Sequence, residues 1–253
     1  MNDKDLAWHI EQACFSAWPA LREEVFGGWC LRFSEGLTRR ANSANPLQGE
    51  REDSEDFIAA CEDRYKAEGL PTIFRLPSLI DPAINNRLKD LGYQSESASL
   101  ALHADLSRFG TVADPNITFE LRPSHEWFEA MIRMQHYNEQ KAAIYRRIVS
   151  SITAPAVFAV ARVDGQISSL AFGAIYRNLL CIESVITDGA FRGRGLAKHM
   201  LSSLISHARP DIAGVCLQVQ ADNQAAIKLY DNLGFKELYS YHYQCKPYGA
   251  HHR

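Results

Sequence analysis

No uninterrupted apolar run in this 253-residue chain approaches the roughly 18 residues that a membrane-crossing helix needs, so no transmembrane helix is expected. No charge of one sign dominates. Twenty-seven Lys and Arg against 30 Asp and Glu leave a net charge of -3, which gives no footing for a nucleic-acid surface. No C-x-x-C pair occurs among the six cysteines at 14, 30, 61, 181, 216 and 245, and several lie in apolar runs. Buried, reduced thiols are therefore expected, with no metal site. Residues Met1 to Asp5 lack a basic stretch leading into an apolar one, so a secretory signal is not expected and the location is read as cytoplasmic. Two phosphate-binding signatures are missing as well, G-x-G-x-x-G and G-x-x-x-x-G-K-S/T. The paired His251-His252 reads as a frayed tail and is assigned no role. What remains is 46% apolar and 23% charged, the composition of a soluble globular protein with room for one large domain or two modest ones.

The most informative stretch that is present is Arg192-Gly193-Arg194-Gly195-Leu196-Ala197. Before it, Leu179 to Thr187 is an apolar run of strand length, punctuated by Asp188-Gly189. After it, Leu196, Met200, Leu201, Leu204 and Ile205 recur at helical spacing. A glycine-rich turn from strand to helix leaves room for a bound group to approach the backbone. The first N–H groups of a helix have no intrahelical partner, and with the positive end of the macrodipole they form an anion site suited to a pyrophosphate. Arg192, Arg194 and Lys198 add charge of the right sign.

Downstream come an apolar strand, Val215 to Val219, and then Asn223-Gln-Ala-Ala-Ile-Lys-Leu-Tyr230-Asp-Asn-Leu-Gly234-Phe235. With these two motifs at this separation, residues 116–247 resemble the GNAT family of N-acetyltransferases. That family carries a Gln/Arg-x-x-Gly-x-Gly/Ala loop and an N-x-x-A-x-x-x-Y-x-x-x-G-F segment. The resemblance implies a mixed α/β fold and an acetyl-CoA co-substrate, with no metal. It implies that Gly193, Arg194, Gly195, Leu196, Ala197 and Lys198, with Arg192, hold the pyrophosphate. It also implies that the backbone of Val185, Ile186 and Thr187 pairs with the pantetheine arm and polarises the acetyl carbonyl, and that Asn223 touches the same arm.

Tyr230 matches the family's general acid. A phenol's ordinary pKa, near 10, lies close to that of a leaving thiol, and Tyr230 falls two helical turns after Asn223. The family's usual glutamate base, on the strand after the glycine-loop helix, is replaced here by Gln218, which cannot titrate. Glu183 is the substitute: an acid in an otherwise apolar run, where burial disfavours the charged form and suits a proton acceptor. A water-mediated route stays open beside it, as does a plain structural role for Glu183.

In the C-terminal half, periodicity reads as β-α-α-β-β-β-α-β-α-β. Strands are expected over 117–121, 156–163, 166–176 and 179–187, helices over 124–137 and 141–151, and a hairpin at Asp164-Gly165. The N-terminal half repeats part of this. A shift of 142 positions lays Leu91-Gly92-Tyr93 on Leu233-Gly234-Phe235 and the strand 72–76 near 214–218. The economical reading is two GNAT-like units: residues 1–113, degenerate and without a glycine-rich loop, and residues 114–253, complete. Chance likeness of two strand-helix-strand runs is the alternative.

The acceptor is expected to be a small amine or amino-acid-like molecule. Trp29, Arg39, Arg40 and Asn42 are candidates for one wall of its pocket, since arginines suit a carboxylate or phosphate. His136, beside Gln135 and Tyr137, lies where the family places its acceptor. A solvated loop is the alternative for the arginine cluster. No nucleic-acid or membrane partner is expected, and the chain is read as a monomer or homodimer. Two other functions stay open: a protein N-terminal or lysine acetyltransferase, and a non-catalytic acyl-CoA-binding module.

Overall fold

A computed structural model describes residues 2–246, and His251-His252 lies outside the described residues. The chain divides by internal contacts into two units that interleave along the sequence. Of the described residues, the larger unit holds 2–19, 101–219 and 223–238, and the smaller holds 20–100, 220–222 and 239–246. This is a different division from a single cut at 113/114. The reason is packing. The first helix, α1 (Asp3–Ala17), buries Ala7, Trp8, Ile10, Ala13, Cys14 and Ala17, and it finds its sheet face on strands of the larger unit.

The smaller unit begins with the hairpin β1 (Arg22–Phe26) and β2 (Trp29–Phe33), then β3 (Ala44–Pro46). Helix α2 (Glu55–Ala67), strand β4 (Thr72–Pro77), helix α3 (Ala83–Asp90) and strand β5 (Gln94–Asp105) follow. Ser54 caps α2 by accepting from the Phe57 N–H at 3.2 Å. The core of this unit gathers Trp29, Leu31, Phe33, Phe57, Tyr65, Phe74 and Leu88.

In the larger unit come β6 (Ile117–Glu120), α4 (His125–Met134), α5 (Glu139–Ser150), β7 (Ala156–Val163), β8 (Gln166–Tyr176) and β9 (Leu179–Thr187). Then α6 (Leu196–Ala208), β10 (Gly214–Gln220), α7 (Gln224–Asn232) and the last strand, β11 (Lys236–Lys246), whose residues 239–246 belong to the smaller unit, complete the order of elements expected from periodicity. The hairpin turn is built as expected, with Asp164 and Gly165 both left-handed at φ +50° and +79°. Ser124 and Asn138 cap α4 and α5 through their side-chain oxygens.

The sheet of the larger unit runs β5-β10-β9-β8-β7-β6, and that of the smaller runs β1-β2-β3-β4-β11-β5. β9 and β10 are parallel, as are β3 and β4, whereas β4 and β11 are antiparallel. The fold is therefore mixed α/β. The run β4-α3-β5 has the same element order as β10-α7-β11, about 142 positions on. Gly92 (φ +84°) and Gly234 (φ +91°) end the two helices in the left-handed conformation that glycine tolerates best. Helices α2 and α6, the preceding pair, have 13 residues each.

All six cysteines are buried and free. Spacing gave no hint that Cys14, Cys181 and Cys216 converge: their sulfurs lie within 4.8 Å of one another. The Cys14 and Cys181 sulfurs are 3.6 Å apart, a contact between thiols rather than a disulfide of about 2.05 Å. Among the described residues no helix is long and apolar enough to cross a membrane.

Candidate functional site

Strand β9 changes course in its middle. Leu170 on β8 faces Ile186, but Phe172 faces Glu183, so two residues of β9, Ser184 and Val185, oppose Ala171 alone. This is a β-bulge, with Ser184 left-handed at φ +54°. On its other edge β9 pairs with β10 only from Leu179↔Gly214 to Ile182↔Leu217. Beyond the bulge Ile186 and Thr187 resume the β8 ladder, and from Ser184 to Thr187 the strand has no ladder partner in β10. These residues are half-buried, and the Thr187 hydroxyl is anchored to that of Ser169 at 2.8 Å. Toward β10, Val185, Ile186 and Thr187 thus have no strand partner, and the Thr187 carbonyl is taken up by Arg192.

β9 leads straight into the glycine loop. Asp188 accepts from the Ala190 N–H at 3.0 Å and pairs with Arg133 of α4 at 2.8 Å. The Ala190 N–H and the Arg133 guanidinium together hold the Asp188 carboxyl below the usual range. Arg192 donates from Nε to the Thr187 carbonyl at 3.2 Å, and the Arg194 guanidinium sits 5.4 Å from the Phe191 ring centre. Gly193 (φ +78°) and Gly195 (φ +75°) are left-handed, with open space where a Cβ would be. Gly195 is the N-cap of α6, and no side chain caps that helix or places an acid in its first turn. Leu196 and Ala197 are half-buried and Lys198 is exposed, so the N–H groups of the first turn face a positively charged, open surface. The residues fit a pyrophosphate, because both glycines leave room for the approach and the cap position is not taken by the chain itself.

Glu183 and Tyr230 are each only 6% exposed. Burial raises the Tyr230 phenol well above its ordinary value, and the Glu183 charge pushes the same way. Two groups far apart in sequence thus share one electrostatic environment. The Tyr230 ring packs edge-on against Phe235 at 5.8 Å, which orients it from α7. Gln218 is the β10 residue immediately after the last one paired to β9. Asn223 is the N-cap of α7, its Oδ1 accepting from the Ala226 N–H at 3.1 Å.

Sequence reasoning missed one pair. The Tyr145 hydroxyl donates to Ser184 Oγ at 3.1 Å, joining α5 to the bulge. Nothing in the sequence marks Ser184 as bulged, and Tyr145 reads as an ordinary apolar-face residue of a helix.

The candidate acceptor residues fall in separate places. Trp29 is 1% exposed in the core of the smaller unit, edge-on to Phe74 at 5.5 Å, and its Nε1 donates to the Glu52 carbonyl at 2.9 Å. Asn42 is buried, accepts from the Ser34 and Gly36 N–H groups and donates to the Thr38 carbonyl, so it fastens its own loop. Arg39 pairs with Glu96 and also donates to Ser97 Oγ at 3.2 Å. Arg40 presents its carbonyl to the buried Arg32 at 2.9 Å. In the larger unit His136 is exposed and left-handed (φ +53°) in the turn between α4 and α5, next to the half-buried Tyr137.

Comparison with known proteins points the same way as the loop. A family model described as "Probable histone acetyltransferase Rv0428c C-terminal" matches residues 8–244. The chain is 24% identical over 246 residues to an uncharacterized N-acetyltransferase, YobR, of Bacillus subtilis (strain 168), covering 94% of this chain and 97% of the relative. Its fold is similar to that of a GCN5-related N-acetyltransferase from Kribbella flavida, with a TM-score of 0.71, 16% identity, and 98% and 96% of the two chains covered. It is also similar to that of a tandem GNAT protein from the clavulanic acid biosynthesis pathway, with a TM-score of 0.66, 11% identity, and 83% and 76% covered.

Proposed function

The chain belongs to the acetyltransferase family described by that model, within the GNAT class, and we propose that it transfers an acetyl group from acetyl-CoA to the amine of a small or amino-acid-like acceptor. One observation carries the reading: a bulged strand that leaves β10 at Ile182 runs directly into a left-handed two-glycine loop before an uncapped helix N-terminus. Bound acetyl-CoA supplies an activated thioester carbonyl. Gly193, Gly195 and the first N–H groups of α6 bind the pyrophosphate, aided by Arg192, Arg194 and Lys198. Val185, Ile186 and Thr187 orient the arm and aim backbone donors at developing negative charge. Asn223 touches the same arm. Glu183 accepts the amine proton. Tyr230, kept neutral by burial, donates a proton to the departing sulfur.

The small acceptor is favoured by how little of Glu183 and Tyr230 is exposed, since a bulky chain must reach both. His136 stands as a further candidate contact for it. A protein acceptor is the second reading, because the matching family is described by a histone activity.

We also read residues 1–113 as a degenerate copy of the fold, on the strength of the matched runs β4-α3-β5 and β10-α7-β11. Its α2 is capped by Ser54 and carries Glu55 and Asp56 in the first turn. A cavity of about 390 Å³ beside it is lined by three acids, Glu50, Asp53 and Asp81, against one base, Arg51, together with Trp29. That charge opposes a pyrophosphate, so one acetyl-CoA per chain is expected.

The test is CoA release by purified protein across a panel of small amines, amino acids, and peptides with free N-termini or lysines. Turnover confined to small amines supports the reading. Turnover only on peptides replaces it with the second, and binding of one acetyl-CoA without any turnover replaces both with a non-catalytic module.

A further inference from the structure

Six non-glycine residues of the described chain have left-handed backbone. Four are in turns or loops. Ser184 and Ser97 lie inside strands, and Ser184 is the one at the bulge of β9. A left-handed L-residue is unfavourable, so something must hold it there. The partner present is Tyr145 Oη, at 3.1 Å from Ser184 Oγ.

Tyr145 is unusually well fixed for this purpose. It is 1% exposed, and its ring meets Trp18 at 5.7 Å, Tyr137 at 5.6 Å, and Trp127 and Phe128 at 6.4 Å each. Rings at the end of α1, on α4, and on the turn before α5 pack around it and fix the ring that carries the hydroxyl. Burial raises its pKa, which keeps it a neutral donor at all working pH values. The net value of a buried hydrogen bond is of the same order as the cost of a left-handed residue, so this one bond offsets most of that cost.

We propose that Tyr145 is a positioning residue: its hydroxyl holds Ser184 left-handed, and this sets the bulge from which Val185 to Thr187 present their backbone to the thioester. The inference rests on the acetyl-transfer reading above only for its last clause. The mechanical claim, that the hydroxyl sets the strand, stands separately.

The test uses the full chain. Tyr145→Phe keeps the ring in its cage and removes the hydroxyl. Ser184→Ala removes the acceptor and keeps the backbone cost, whereas Ser184→Gly removes both. Tyr145→Phe and Ser184→Ala are each expected to lower kcat by about tenfold, the factor one hydrogen bond supplies. The affinity for CoA itself, measured by calorimetry, should change less than about twofold, because the glycine loop is untouched. The double variant Tyr145→Phe/Ser184→Ala should lose no more than either single one. Ser184→Gly introduced into Tyr145→Phe should recover most of the lost kcat, since glycine adopts this backbone unaided. Amide hydrogen exchange over 183–187 should quicken several-fold in Tyr145→Phe, a readout that needs no turnover. Unchanged exchange, or a Tyr145→Phe variant that glycine at 184 does not rescue, overturns the proposal. Altered exchange in a protein that transfers no acetyl group overturns the functional reading and leaves the mechanical claim standing.

Discussion

Replacing Gly195 with valine tests the glycine loop where it is most exposed to contradiction. Gly195 is left-handed at φ +75° and caps α6, and a Cβ placed there meets no heavy atom within 4 Å. The substitution therefore causes no clash, and its cost is conformational. A β-branched residue forced into this region costs about 1–3 kcal/mol, released by rotating the cap and swinging the first N–H groups of α6 off their direction. Hydrogen bonds from such groups to a charged ligand contribute about 1.5–3 kcal/mol each. Losing two of the weaker kind is about 3 kcal/mol, a factor of more than 100 in dissociation constant at about 1.4 kcal/mol per tenfold. Calorimetric titration with CoA should show that weakening. Gly189→Ala provides the control, because Gly189 has an ordinary φ and open space around it and should bind as the wild type does. Thermal unfolding of both variants separates the two effects, since the strain lowers stability by only the first amount. If Gly195→Val binds CoA with wild-type affinity, the pyrophosphate does not sit on this helix and the argument fails at its first step.

Tyr230→Phe should lower kcat by about 10²–10⁴-fold with CoA affinity nearly intact. Because burial and Glu183 raise the Tyr230 pKa, its neutral form persists as pH increases. Wild-type activity should therefore show no basic limb from this group below about pH 10, and a limb there that vanishes in Tyr230→Phe contradicts the assignment. Glu183→Gln should lower kcat by about 10²–10⁴-fold with CoA affinity nearly intact, and unchanged turnover moves the base role to water. Trp127, fully buried between Tyr145, Phe158 and Phe172, has an Nε1 with no hydrogen-bond partner among the described residues. Trp127→Ala should cost about 3–5 kcal/mol in urea unfolding, and Trp127→Phe much less because no hydrogen bond is lost. Equal costs for the two would mean that the indole N–H does have a partner.

The strands at 156–163, 166–176 and 179–187 were legible because apolar runs of strand length bounded by turn residues, Asp164-Gly165 among them, are local properties. So were the glycine loop and the helix it opens, since Gly193 and Gly195 need left-handed backbone that few other residues accept. The family followed from two motifs at a fixed separation, and its match over residues 8–244 agrees with that reading. The sequence did not tell where α1 would pack, because an apolar helix face does not name the sheet that will cover it. For the same reason the three converging thiols, Cys14, Cys181 and Cys216, were invisible as scattered positions. The sequence also placed Trp29 and Asn42 together by proximity in the chain. The tertiary structure sends one into a core and the other into loop-fastening hydrogen bonds, because Trp29 carries apolar area to bury and Asn42 carries an amide to satisfy. Most of all, only the assembled fold decided the bulge. Ser184 is left-handed because α5 brings a hydroxyl to it from 39 residues away, and a strand's own residues cannot encode a conformation that a distant side chain imposes.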